Sequence, residues 1–225
     1  MQNLLLLHGA LGFSGQFENL LPLLKDSYNV YTFDFGGHGK KTMPENLSIE
    51  HFAKETAAFI NTSIGGETHI FGHSMGGYVA MYMARYGMGQ TGKILTLGTK
   101  LNWTPEIAAN ESKLLNTEKI KEKVPAFAQS LAAMHGDNWE LLCKKTAHMM
   151  IDLGNAPALT QDDFAQIENQ IQLGLGDKDN MVSLEETIIA YRQLKNGRLA
   201  VLPNTLHPYN KVDVNRLAYE IKAFI

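Results

Sequence analysis

The chain has 225 residues, 44% of them hydrophobic and 19% charged, with a net charge of −3. This length and composition suit one sizeable core with room for a small insertion, and they exclude a disordered chain. No basic stripe is present to hold nucleic acid, and no run approaches the roughly 18 apolar residues that cross a membrane.

Residues 4–7, four leucines, form a continuous apolar run, the mark of a strand buried on both faces. Residues 29–33 make a second run. Ser48 can cap a helix reaching about Asn61, with Ile49, Phe52, Ala53, Thr56, Phe59 and Ile60 along one side. Residues 68–71 form the third run, followed at once by Gly72-His73-Ser74-Met75-Gly76 and a helical pattern through Tyr78, Val79, Met81 and Tyr82. A strand, a sharp turn and a helix with one serine at the apex force that serine into a strained backbone and expose its hydroxyl. Gly72 and Gly76 fit there because side chains would collide as strand and helix close. Residues 93–97 form the fourth run.

From 101 to 159 the alternation stops and no strand is evident. Pro105, after Thr104, opens one helix; Pro125 opens another that ends at Gly136. Asp137 and Glu140 suggest a capping box for a third helix ending near Gly154. This stretch reads as a helical cap on a core of residues 1–100 and 160–225. The strands resume at 171–175 and 198–202. Between these two, Ser183 and Glu186 form a capping box for a helix stopping at Asn196-Gly197. A last amphipathic helix carries Val212, Val214, Leu217, Ala218, Ile221 and Phe224. Alternation of this kind implies an α/β fold with a parallel sheet covered on both faces.

Four landmarks each follow a strand: His8-Gly9-Ala10-Leu11-Gly12, Asp34-Phe35-Gly36-Gly37-His38-Gly39, the serine turn, and Gly176-Asp177-Lys178-Asp179. In this order they resemble the α/β-hydrolase superfamily, in particular its small, single-cap, esterase-like bacterial members. The resemblance covers nearly the whole chain except the cap. It implies a triad of Ser74 as nucleophile, His207 as base and Asp179 as the carboxylate that orients the imidazole. Asp177 lies in the same loop, but the family pattern Gly-x-x-Asp selects Asp179. Oxyanion donors are expected at the backbone N–H groups of Met75 and, by the family pattern, Ala10. The commoner members begin with an antiparallel hairpin, for which there is no room before Leu4. A reduced sheet of six parallel strands is therefore expected, with the strand near Val30 at an edge that must be covered or serve as an oligomer contact.

The implied activity is hydrolysis of a small or medium ester or thioester through an acyl-enzyme. Two rivals remain: elimination on the same triad, as in the menaquinone-pathway lyase, and non-catalytic binding on a hydrolase scaffold. Leu11, Phe13, Met134, Trp139, Met149 and Met181 are expected to line the substrate pocket, as a flexible apolar wall. Lys100, Lys144, Lys145 and His148 would favour an acidic substrate if any turned inward.

The other histidines show no metal-ligand spacing, and no cofactor or metal is expected. His8 is expected to shape the oxyanion loop, and His38 to sit in a structural corner. Cys143 is expected to be a buried packing residue rather than a nucleophile. As the one cysteine, it cannot form an internal disulfide, which fits a reducing compartment. The N-terminus lacks a charged n-region. Together these suggest a cytoplasmic monomer or homodimer with a small-molecule substrate and no membrane or nucleic-acid partner.

Overall fold

A computed structural model describes all 225 residues. Its strands are β1 (Gln2–Leu7), β2 (Tyr28–Thr32), β3 (Thr68–His73), β4 (Thr91–Leu97), β5 (Ile171–Gly176) and β6 (Gly197–Leu202). They form one sheet in the order β2-β1-β3-β4-β5-β6, with every pair parallel. No antiparallel strand joins this sheet, and β2 stands at one edge, as expected.

Helices fill the crossovers: α1 (Leu21–Leu24), α2 (Ile49–Phe59), α3 (Met75–Arg85), α4 (Pro105–Lys113), α5 (Thr117–Lys123), α6 (Pro125–His135), α7 (Trp139–Asn155), α8 (Gln161–Phe164), α9 (Leu184–Gln193) and α10 (Val214–Phe224). None is long and apolar enough to cross a membrane.

The leucine run of β1 shows why both faces are covered. Side chains alternate along a strand. Leu5 and Leu7 enter a core with α2, α3 and the helices of residues 101–159, through Phe52, Val79 and Leu142. Leu4 and Leu6 enter a second core with Leu24 of α1 and Leu217, Ile221 and Phe224 of α10.

Capping follows the sequence in most places. The Ser48 hydroxyl accepts from His51 N–H at the start of α2, and the Thr104 hydroxyl from Ile107 N–H at the start of α4. Ser183 and Glu186 make the full capping box of α9. Three differences stand out. Asp137 and Glu140 do not cap α7. Gly136–Asn138 turns as a 3-10 helix directly into it, so the backbone never takes the extended conformation of an N-cap. Glu140 instead pairs with Lys121 Nζ at 2.8 Å. Helix α9 ends at Gln193, because Leu194 is already extended. Helix α5, which has no strong apolar stripe, escaped the periodicity reading.

Candidate active site

The loops after β1, β3, β5 and β6 emerge at one end of the sheet, because every strand runs the same way. Open parallel sheets bind ligands at this carboxyl edge.

Ser74 joins β3 to α3 with φ 51° and ψ −118°, a conformation that a serine holds only when its surroundings over-determine it. Its N–H donates to Leu97 O at 2.8 Å, and Thr99 Oγ1 donates to its carbonyl at 3.0 Å. A Cβ at Gly72 would strike the backbone of Gly76 and Gly77, and one at Gly76 the carbonyls of Leu7 and His8. The glycines are therefore required by close approach.

Ser74 Oγ lies 3.2 Å from His207 Nε2, and His207 Nδ1 lies 2.8 Å from Asp179 Oδ2. The other Asp179 oxygen accepts the N–H groups of Met181 and Val182 at 2.8 and 2.9 Å. Burial opposes ionisation of this carboxyl, but its bonds from His207, Val182 and Met181 outweigh burial and hold it below the usual carboxylate range. Asp177 faces elsewhere and accepts from Thr205 N–H at 3.2 Å. Gly98, with φ 63°, lies against the pair: a Cβ there would come within 3.0 Å of Asp179 Oδ2 and 3.2 Å of His207 Nδ1.

The two amides expected as oxyanion donors belong to separate elements. That of Met75 occupies the first position of α3, where a helix offers no internal acceptor. That of Ala10 makes no hydrogen bond. Both residues line the cavity that contains Ser74 and His207.

The oxyanion loop is held from behind. Gly12 N–H donates to Gly9 O, and Leu11 takes φ 56°, an unusual conformation for a leucine. His135, at the end of α6, donates from Nε2 to Leu11 O at 3.0 Å and accepts Gly39 N–H on Nδ1 at 2.9 Å. These two bonds require the neutral ring, and burial lowers its pKa accordingly. His8 accepts Phe35 N–H on Nε2 and donates to Gly9 O from Nδ1. Burial pushes its pKa down to about 3. His38, also buried and neutral, donates to Gly36 O.

The serine cavity has a volume of about 50 Å³. Met149 and Met181 line it, together with Tyr78, Trp103, Met150 and Leu153. Leu11, Phe13, Met134 and Trp139 do not line it. Leu11 turns its carbonyl to His135, and the Phe13 ring folds over Gly15. Met134 packs into the helical core, and Trp139 is buried with Lys121 Nζ 5.8 Å from its ring. An apolar side chain on a helix satisfies burial equally well against the core or against the cavity, so helical periodicity could not separate these cases.

Lys100 does turn toward the cavity, but not as a free cation. Its Nζ lies 3.3 Å from Glu111, which also lines the cavity, and 4.0 Å from Glu186, and it donates to Met181 O. Cys143 is fully buried on α7, and burial raises its thiol to about 11, which keeps it protonated and unreactive.

Residues 2–140 match a family model described as alpha/beta hydrolase fold. A non-heme haloperoxidase of Rhodococcus erythropolis is 34% identical over 236 residues, covering 92% of this chain and 86% of that protein. A 3-oxoadipate enol-lactonase of Acinetobacter baylyi is 28% identical over 72 residues, covering 32% of this chain and 27% of the enzyme. The matches to the first two curated relatives thus span a third or less of their length. The crystal structure of an enol-lactonase from Burkholderia xenovorans LB400 superposes with a TM-score of 0.82 at 14% identity, covering 99% of this chain and 90% of that one.

Proposed function

The chain belongs to the alpha/beta hydrolase family, and on that premise we propose that it is a serine hydrolase that cleaves a small, neutral ester or thioester through an acyl-enzyme on Ser74. The observation that carries this reading is the unbroken relay from Ser74 Oγ through His207 to Asp179, at 3.2 and 2.8 Å.

In this reading Ser74 Oγ attacks the substrate carbonyl carbon as His207 Nε2 takes its proton. Asp179, ionised and fixed by two backbone amides, stabilises the imidazolium. The carbonyl oxygen becomes an oxyanion facing the amides of Ala10 and Met75, each worth about 2.7–4 kcal/mol to the transition state. The tetrahedral intermediate collapses, and the leaving oxygen or sulfur departs with the His207 proton. Water then attacks the acyl carbon with His207 again as base, releasing the acid and restoring Ser74. Residues 101–159 act as a cap that closes the site against bulk water.

The neutral character of the substrate rests on Lys100, whose charge is met by two carboxylates. A carboxylate entering the cavity would gain no free cation and would meet Glu111. This also disfavours the lyase reading, with its acidic product. Enol-lactonases act on a cyclic ester by their name, which agrees with acyl transfer to water. A fluorophosphonate probe should label the wild type and spare Ser74→Ala. On a panel of p-nitrophenyl esters and acyl-CoA thioesters, Ser74→Ala should lose several orders of magnitude in turnover. Equal labelling of both proteins would refute the assignment.

A further inference from the structure

Beside the serine cavity, and sharing Trp103 with it, lies a second one of about 210 Å³, some four times the 50 Å³ of the first. Leu101, Leu159, Phe164 and Ile189 contribute apolar surface to it, and Asn102 and Gln161 polar surface. The two cavities abut along three contacts. Trp103 lines both. Lys100, on the serine side, pairs with Glu186 on the far side. Tyr78, on the serine side, accepts from Leu159 N–H at 2.9 Å on the far side. The ion pair and the tyrosine are held by polar contacts, whereas the Trp103 indole is held by packing alone: its Nε1 has no hydrogen-bond partner. Trp103 sits between the end of β4 and the start of α4, so its backbone belongs to no ladder or helix.

We propose that Trp103 is the partition that limits substrate length, and that the second cavity is a distal subsite for the far end of a longer acyl chain. The inference rests on the serine-hydrolase reading and deepens it. With the indole in place, the enzyme accepts short acyl groups and stops longer ones at the ring face. With the indole removed, an acyl chain passes into the larger space. Its methylenes meet Leu101, Leu159 and Phe164, and its end reaches Asn102 and Gln161. The substrate class is therefore short-chain neutral acyl esters for the native protein, and medium-chain ones for a truncated position 103.

The test is a chain-length profile of kcat/KM on p-nitrophenyl acetate, butyrate, hexanoate, octanoate and decanoate, run on wild type, Trp103→Phe and Trp103→Ala. The octanoate-to-acetate ratio should rise about tenfold or more in Trp103→Ala, since a single methylene in an apolar pocket is worth that much, and less in Trp103→Phe. Adding Ile189→Trp to Trp103→Ala should refill the second cavity and cancel the gain; Ile189 is 47% exposed, so the core is undisturbed. If Ser74 is labelled by fluorophosphonate in all variants and the ratio does not move, the partition is refuted while the hydrolase reading stands. If the ratio rises but Ile189→Trp leaves it unchanged, the distal subsite is refuted. If Ser74 is neither labelled nor active in any variant, the hydrolase reading falls and the inference falls with it.

Discussion

The ring of His73 donates from Nε2 to the backbone carbonyl of His207 at 3.0 Å. The residue before the nucleophile thus grips the main chain of the base. Burial lowers the His73 pKa to about 4, so the ring stays neutral and its Nε2 proton is available to that carbonyl across the working pH range. The bond ties the end of β3 to the loop after β6, which no other side-chain hydrogen bond joins to the serine turn apart from the Ser74–His207 contact itself.

Replacing His73 by leucine should therefore loosen the base rather than the substrate. A buried carbonyl left without its donor costs about 1–3 kcal/mol, which corresponds to roughly a five- to 150-fold loss in kcat. The KM should change little. Steady-state kinetics and the second-order rate of fluorophosphonate labelling check this; an unchanged labelling rate would show that His207 needs no such support.

His135 is expected to act as a positioning residue for the oxyanion loop. It ties the Leu11 carbonyl to the end of α6, next to the unpaired Ala10 amide. His135→Leu should lower kcat by about tenfold, a fraction of what losing a whole oxyanion donor costs. Glutamine offers one donor and one acceptor, as the neutral imidazole does, so His135→Gln should recover most of the loss. Equal activity in both variants would assign His135 to stability alone.

Glu111→Gln should free the Lys100 charge on one side. Activity toward a carboxylate-bearing ester such as p-nitrophenyl hemisuccinate should rise about tenfold relative to the butyrate, the scale of one charge-assisted hydrogen bond. A competition assay with the two esters reads this directly. No change in the ratio would mean that Glu186 alone neutralises the lysine.

Acid should destabilise the fold at mild pH. His8, His38, His73 and His135 are all buried with pKa values below the ordinary 6.5. Between that value and their folded values the unfolded chain binds more protons, so stability is full above about pH 6.5 and falls as pH drops toward 4. Each such group contributes a slope of about 1.4 kcal/mol per pH unit. Asp179, whose pKa is lowered, adds its loss only in the carboxylate range below that. Urea midpoints from pH 7.5 to 5 should fall steeply, and His73→Leu should flatten the slope; identical slopes in the two proteins would remove His73 from the account.

The sequence by itself was enough for the six strands, their parallel arrangement and the serine turn. These depend on local facts: runs of apolar residues, capping side chains and glycines where two backbones touch. The loops carrying Ser74, His207 and Asp179 meet, because a parallel sheet delivers every such loop to one edge. What tertiary structure decided depends on contacts distant in sequence. It turned Asp179 toward His207 and Asp177 toward Thr205, two residues apart in one loop. It placed Trp103 rather than Trp139 in the serine cavity, bound Lys100 to Glu111 and Glu186, and set His135 against Leu11, 124 residues away. Hydrophobic periodicity reports that a side chain is buried. Which surface buries it, core or cavity, is settled only when the elements pack.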